Sequence, residues 1–296
     1  MNIDGVFSGG GVKAFAYVGV LETFKEHHIE FERVAGTSAG AIIASMIAAR
    51  YSMEEIKELV NELDLSSLAD PPLLTKFLPL TKWFFLYFQL GINKGDKLEA
   101  WLMEVLERKH IKTFSDIKEG YLKVVVSDLS LGKLVVIPDD LERVYGIKPE
   151  YFPVSKAVRM SAGFPYFFMP KRVPGRYKQK SIVVDGGLLS NFPMWIFDQP
   201  TNKPLRPLLG VKLTEITQEI GPRKIDNAIG MFQALFSTMK QAHDSRYIST
   251  SDKKNIIFVP VEGTAAMNFS LTEEARQKLI ISGRNSTEKF LKKWHG

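Results

Sequence analysis

Apolar and polar positions change their spacing several times along the chain, and the changes predict alternating strands and helices. Ile3 to Phe7 is a short apolar run of strand length, broken at Ser8-Gly9-Gly10-Gly11. From Lys13 to His27 the apolar residues Phe15, Val18, Leu21 and Phe24 recur at three- to four-residue spacing, which predicts a helix. Phe31 to Ala35 predicts a second strand, closed by Gly36. Ser38 to Arg50 is small and apolar all round, which predicts a buried helix. Strand, helix and strand within so short a span imply a parallel pair joined by a right-handed crossover.

The alternation continues downstream. Ser52-x-x-Glu55 has the form of a capping box and precedes Ile56, Leu59, Val60 and Leu63 on one helical face. Asp96-x-x-Glu99 opens another helix with Leu98, Trp101, Leu102 and Val105 aligned. Tyr121–Val126 and Lys133–Ile137 predict a hairpin around Ser130-Leu131-Gly132. Val154–Met160 predicts a helix, Ser181–Val184 a strand ending at Asp185, and Leu208–Leu213 and Ile256–Val259 two more strands. Ile225, Ile229, Phe232, Phe236 and Met239 mark a long helix, and a last helix from near Leu271 carries Leu279, Phe290 and Trp294. The pattern, which has no internal repeat and no low-complexity linker, predicts a single α/β domain over residues 1–296. Its central sheet is largely parallel, with helices on both faces.

Pro71 to Leu90 breaks from this pattern. Trp83-Phe84-Phe85-Leu86-Tyr87-Phe88 is an unbroken apolar and aromatic run, yet Pro79, Lys76 and Lys82 interrupt the segment before a membrane-spanning length accumulates. Trp and Tyr beside lysine suit a membrane interface. The segment reads as a hydrophobic lid or cap inserted at about residues 66–112, with Trp83, Phe84, Phe85, Tyr87 and Phe88 meeting lipid; a buried cap or self-association surface is the alternative.

Composition narrows the chemistry. The 296 residues are 45% hydrophobic and 24% charged, which excludes collagen-like, disordered and rod-like chains. There is no cysteine, so disulfides, thiol nucleophiles and iron–sulfur ligation are excluded. The five histidines (His27, His28, His110, His243, His295) form no zinc-type pair, so no metal is expected, although carboxylate-only sites stay open. Met1 to Phe7 lacks the basic start and long apolar run of a signal peptide, and a cytoplasmic address is expected. A net charge of +6 mildly favours an acidic partner such as an anionic membrane. Lys171, Arg172, Arg176, Lys178 and Lys180 give that charge one location; with only Tyr177 interleaved and no nucleic-acid-binding module, nucleic acid is not an expected partner.

Three motifs carry candidate chemistry. Gly36-Thr37-Ser38-Ala39-Gly40 fits G-x-S-x-G between a strand and a helix, where glycines permit the tight turn that exposes a nucleophilic serine. Serving only as a helix N-cap is the plain alternative for Ser38. Gly9-Gly10-Gly11-Val12-Lys13-Ala14 could present backbone N–H groups as an oxyanion hole. It also fits a dinucleotide fingerprint with Glu30 or Glu32 as the ribose acid, or a purely structural turn. Asp185-Gly186-Gly187 places a carboxylate at a strand end. There it could serve as general base if the site is dry, or simply begin an Asp-Gly turn. A Ser38–Asp185–His243 or –His295 triad is conceivable, but both histidines lie on predicted helices, and a general α/β-hydrolase has more strands before its elbow than residues 1–37 can supply.

Taken in order, these motifs resemble the patatin-like phospholipases. Supporting stretches are similar too: Ser127 to Lys133, Ala157 to Pro170, and Asn191 with Pro193. The resemblance runs from residue 3 to about 215, and departs at Ala14, where the family usually has glycine. It implies a patatin-like three-layer fold and a lipid acyl hydrolase with a Ser38–Asp185 dyad. Gly9, Gly10 and Gly11 would form the oxyanion hole, supported by Lys13, Gly36, Gly40, Gly186 and Gly187. No cofactor or metal would take part, and the partner would be a phospholipid or other acyl lipid at a peripheral membrane surface.

Overall fold

A computed structural model describes residues 1–63, 65–77, 81–176, 179–197, 206–215, 225–226, 228–247, 252–261 and 271–294. The amino-terminal half contains β1 (Asn2–Phe7), α1 (Ala16–Glu26), β2 (Glu30–Thr37), α2 (Ala39–Ala48), α3 (Met53–Glu62), α4 (Leu74–Phe77), α5 (Thr81–Phe88), β3 (Gly91–Asn93), α6 (Asp96–Glu107), β4 (Leu122–Asp128) and β5 (Lys133–Ile137). The rest contains α7 (Val154–Ser161), β6 (Tyr166–Phe168), β7 (Lys171–Val173), β8 (Ser181–Asp185), β9 (Leu208–Glu215), α8 (Ala228–Tyr247), β10 (Ile256–Val261) and α9 (Glu273–Leu291).

The fold is mixed α/β, with helices around a mostly parallel sheet. The strands run in the order β10-β9-β1-β2-β4-β8-β7, and β5 also pairs with β4. From β10 to β4 the pairs are parallel, whereas β4–β5, β4–β8 and β7–β8 are antiparallel. The central strands are apolar nearly throughout because both sheet faces are covered; Ile3, Val6, Phe7, Val34, Val124 and Val126 are fully buried.

One detail of this sheet positions the site. Along one edge β4 pairs with β5. Its other edge is shared: Leu122–Val125 pair with β2, and Val126–Asp128 pair with β8. Because β2 is parallel and β8 antiparallel to β4, their carboxyl ends meet. Thr37 lies opposite Val125 and Asp185 opposite the next residue, Val126.

Local chemistry explains where the elements begin. The Ser52–Glu55 capping box closes in both directions at the start of α3. The helix expected from Lys13 begins as a 3-10 turn, Gly11–Phe15, before α1 proper; Gly11 adopts φ +57° and the Gly10 carbonyl accepts from the Lys13 N–H at 3.3 Å, which tightens the chain. Ala14 thus sits in that 3-10 turn. The amino terminus of α6 is capped from a distance: the Asp70 carboxylate accepts from the N–H groups of Gly95, Asp96 and Lys97. The strands β3, β6 and β7 have three residues each, too few for a period-two pattern to reveal.

Candidate active site

Ser38 occupies the turn between β2 and α2 with φ +54° and ψ −125°, a strained conformation for a residue with a side chain. Its hydroxyl makes no capping bond to α2, so the plain N-cap reading does not hold. The glycines around it are required by space. A Cβ on Gly36 would lie 2.3 Å from the Gly40 carbonyl oxygen, and one on Gly40 would lie 2.3 Å from the Phe7 carbonyl oxygen. The Ser38 N–H donates to Ser161 Oγ at 2.9 Å, and that hydroxyl donates to the Val125 carbonyl at 2.7 Å, fastening the elbow to β4 through α7.

The Ser38 hydroxyl donates to Asp185 Oδ2 at 2.7 Å. The other oxygen, Oδ1, accepts from the Gly187 N–H at 2.7 Å, which orients the carboxylate. Gly186 must lack a side chain because a Cβ there would lie 2.2 Å from the Val125 carbonyl oxygen. Asp185 is 3% exposed. Burial pushes its pKa up to about 6, against the opposing effects of the Gly187 and Ser38 hydrogen bonds and the charge of Lys240. A carboxylate of that basicity can take a proton near neutral pH and give it back.

The glycine loop lies alongside. Gly10 and Gly11 line the same pocket as Ser38 and Asp185. Among the described residues nothing accepts from their N–H groups. The Gly9 N–H instead donates to the Asn191 carbonyl at 3.0 Å, so it braces the loop. Lys13 is buried, which removes it from solvent and from any headgroup outside the pocket. Glu30 and Glu32 stand at the opening of β2, the far end of the sheet from the glycine loop, since Asn2 pairs with Glu30 and Phe7 with Gly36. Neither of these two acids therefore sits where a dinucleotide ribose would require it.

The pocket is a cavity of about 120 Å³ with mostly apolar walls. Ile42, Leu63, Leu68 and Leu98 contribute from the amino-terminal half, and Phe164 and Phe168 from the β6 region. Helix α8 supplies Phe236 and Lys240. Phe236 packs tilted and Phe232 edge-on against Phe164 at ring-centroid distances of 4.7 and 6.4 Å, and Phe232 meets Tyr166 at 4.5 Å. No histidine lines the pocket among the described residues; His295 and the His243 side chain lie outside them. Among the described residues no cluster of His, Asp or Glu could hold a metal ion.

The aromatic segment is partly described. On α5, Phe84, Tyr87 and Phe88 are exposed, Tyr87 by 76%, while Phe85 is half-buried. The Trp83 side chain and residues 78–80 lie outside the described residues. Among the described residues no helix is long and apolar enough to cross a membrane. In the basic stretch, Lys171 is held by Asp96 at 3.3 Å and by Glu99, and Arg176 donates to the Glu142 carbonyl at 3.0 Å; Tyr177 and Lys178 are outside the described residues.

Several residues near the site escaped the sequence reading. Arg159 is fully buried, its Nε donating to the Gly95 carbonyl at 2.8 Å and Nη2 to the Lys94 and Met169 carbonyls at 2.9 and 3.1 Å. It stacks over Phe168, a pocket wall, at 4.6 Å. Burial lowers its pKa to about 10, opposed by Glu99, Asp70 and Asp96, so it stays charged. Asp244, also buried, pairs with Lys212 at 2.8 Å and accepts from Asn191 Nδ2 at 3.4 Å. Arg159 shares its helical face with Ser155 and Lys156, so its burial left no signal in the sequence, and Asp244 and Lys240 gave none either.

The fold is mixed α/β, and its site brings Ser38, Asp185 and the glycine loop together at one pocket. The family model of the patatin-like phospholipases matches residues 5–198, and the chain belongs to that family of lipid hydrolases. It is 46% identical over 296 residues to the uncharacterized protein YqhO of Bacillus subtilis (strain 168), covering 99% of both chains. It is 25% identical over 195 residues to the cUMP-AMP-activated phospholipase of Escherichia coli, covering 62% of this chain and 54% of that one. Among solved structures, VipD from Legionella pneumophila has the same fold, with a TM-score of 0.55 at 18% identity over 98% of this chain. The chain spans 66% of VipD.

Proposed function

We propose that the chain is a serine lipid acyl hydrolase acting by two-step acyl transfer. Asp185 takes the Ser38 hydroxyl proton as Oγ attacks the ester carbonyl. The N–H groups of Gly10 and Gly11 stabilise the oxyanion, each worth about 3 kcal/mol in the transition state. As the C–O bond breaks, Asp185 returns the proton to the leaving alcohol. Asp185 then deprotonates water, which attacks the acyl-Ser38 ester; collapse releases the fatty acid and restores the serine hydroxyl. Gly9 and Lys13 support the loop. The observation that carries this reading is the 2.7 Å bond between Ser38 Oγ and a buried, basic Asp185 at a strained elbow.

The substrate class is phospholipid, lysophospholipid or another acyl lipid, supported by family membership and the apolar pocket. Residues 66–112 supply the lid or cap, and Phe84, Tyr87 and Phe88, exposed on α5, insert at a peripheral membrane surface. The test is lipid hydrolysis profiled by mass spectrometry for wild type, Ser38→Ala and Asp185→Asn, with fluorophosphonate labelling of Ser38. Hydrolysis and labelling by wild type, lost in Ser38→Ala, are expected. Full activity in both variants would remove the dyad. Lipid binding without any ester cleavage would make the chain a membrane-binding protein on this fold.

A further inference from the structure

Helix α8 lies beyond the residues matched by the family model, and it brings a cation to the site. Lys240 lines the pocket together with Ser38 and Asp185. Among the described lining residues it is the one cation, and Asp185 is the one acid; the remaining walls are apolar, glycine, Ser38 or Asn191. Its placement has a structural cause. Phe236, Lys240 and Asp244 are spaced four apart and so share one helical face. Phe236 is wedged against Phe164 on one side of Lys240, and Asp244 is tied to Lys212 and Asn191 on the other. These two anchors set the axial position of α8, and hence of Lys240 between them. Asn191 is also the residue whose carbonyl braces the Gly9 N–H, so α8 and the glycine loop share one support.

A lysine of intermediate exposure in a mostly apolar pocket has a steep electrostatic effect on whatever binds there, because low-dielectric walls screen charge poorly. Lysine acts as a point charge that suits phosphate. In a glycerophospholipid only the glycerol carbons separate the acyl ester from the phosphodiester, so a phosphate must lie near the dyad when the ester is seated on it. We propose that Lys240 binds the phosphate of a phospholipid substrate and so sets the preference of the site for phosphate-bearing esters over neutral glycerides. The proposal rests on the hydrolase reading above and adds to it the residue that selects the substrate class.

The test compares kcat/KM for palmitoyl-lysophosphatidylglycerol with that for monopalmitoylglycerol, both in the same neutral detergent micelles at pH 8, where Asp185 is ionised. The two share the acyl chain and ester and differ by the phosphoglycerol group, whose single charge is on the phosphate. The ratio of the two values is expected to fall at least about tenfold in Lys240→Gln, chiefly through KM, and to be retained in Lys240→Arg. Any effect through Asp185 or through folding changes both substrates alike and leaves the ratio untouched. An unchanged ratio in Lys240→Gln, with both esters still cleaved, overturns the role of Lys240 alone. If wild type cleaves neither ester, the hydrolase reading falls and this inference with it.

Discussion

Ser38 Oγ donates a 2.7 Å hydrogen bond to Asp185 Oδ2 across 147 positions of sequence. The agent of that proximity is β4, whose one edge carries the ends of both β2 and β8 at adjacent residues, Val125 and Val126. The two groups that must exchange a proton are therefore fixed by backbone pairing, and Ser161 ties the elbow to the same strand. Proton transfer needs little rearrangement in such a site.

The first prediction concerns pH and rate. The base must be ionised, and burial raises the Asp185 pKa to about 6. On a soluble short-chain ester, kcat/KM is expected to rise with pH and reach half its plateau near pH 6. Asp185→Asn should be at least about 10³-fold slower and lack that inflection. A profile half-maximal near pH 4 would mean that burial does not raise the Asp185 pKa, and an inflection kept in Asp185→Asn would mean that Asp185 is not the base.

The same shift has a cost in stability. A carboxyl group whose folded pKa is raised favours the native state fully below its unfolded pKa of 3.8, and that stability is lost as pH rises through about 6. Asp185→Asn keeps an oxygen to accept the Gly187 N–H and carries no charge. It should be more stable than wild type at pH 8, by about 3 kcal/mol at most, with the difference shrinking towards pH 4. Urea unfolding at the two pH values measures this, and equal differences at both would contradict it.

Two glycines separate folding from catalysis. A Cβ on Gly40 meets backbone atoms of Phe7 and Ser8 within 2.6 Å, so Gly40→Ala must displace β1 and should lose about 2–3 kcal/mol of stability. A Cβ on Gly10 meets Leu213 Cδ1 at 2.4 Å, the end of a side chain that can turn. Gly10→Ala is expected to keep its unfolding free energy within about a few tenths of a kcal/mol while kcat falls about 10²-fold. Parallel urea and kinetic measurements distinguish the two; equal stability losses would mean that the Gly10 loop cannot yield.

Arg159 gives a test of the wall between the β3 and β6 regions. Arg159→Ala leaves the Lys94, Gly95 and Met169 carbonyls without their donor and opens a space beside Phe168. A loss of about 3–5 kcal/mol is expected, with faster amide exchange in residues 91–97 and 166–169. Exchange unchanged in both segments would show that Arg159 does not hold them.

The exposed rings on α5 predict a surface effect. Tyr87→Ser with Phe88→Ser should weaken binding to anionic vesicles about tenfold or more and slow hydrolysis of vesicle lipid more than that of a soluble ester. Phe85 is half-buried, so its replacement mixes packing with membrane effects and is the poorer probe. Equal losses on both substrates from the Tyr87 and Phe88 changes would point to a packing role.

Legibility followed the range of the interactions. Tight turns are written in local residue types, so the strand-to-helix turn at Gly36–Gly40, the capping box at Ser52–Glu55 and the strand ending at Asp185 could be read from sequence. The main helices were visible because one face is buried at a regular period, and the long strands because both their faces are covered and their residues form nearly unbroken apolar runs. The short β3, β6 and β7 were not, since three residues carry no period. The 3-10 turn at Gly11–Phe15 departed from the helix expected there because Gly11 turns left-handed.

The sequence alone determined which residues stand at sharp backbone turns, and it carried the family resemblance in their order. Only the tertiary structure decided which of them meet. It joined Ser38 to Asp185 through a shared edge of β4, turned the Gly9 N–H to Asn191, and brought α8 with Lys240 to the pocket. It also set the basicity of Asp185, because desolvation depends on everything packed around a carboxyl group and on nothing in its immediate sequence.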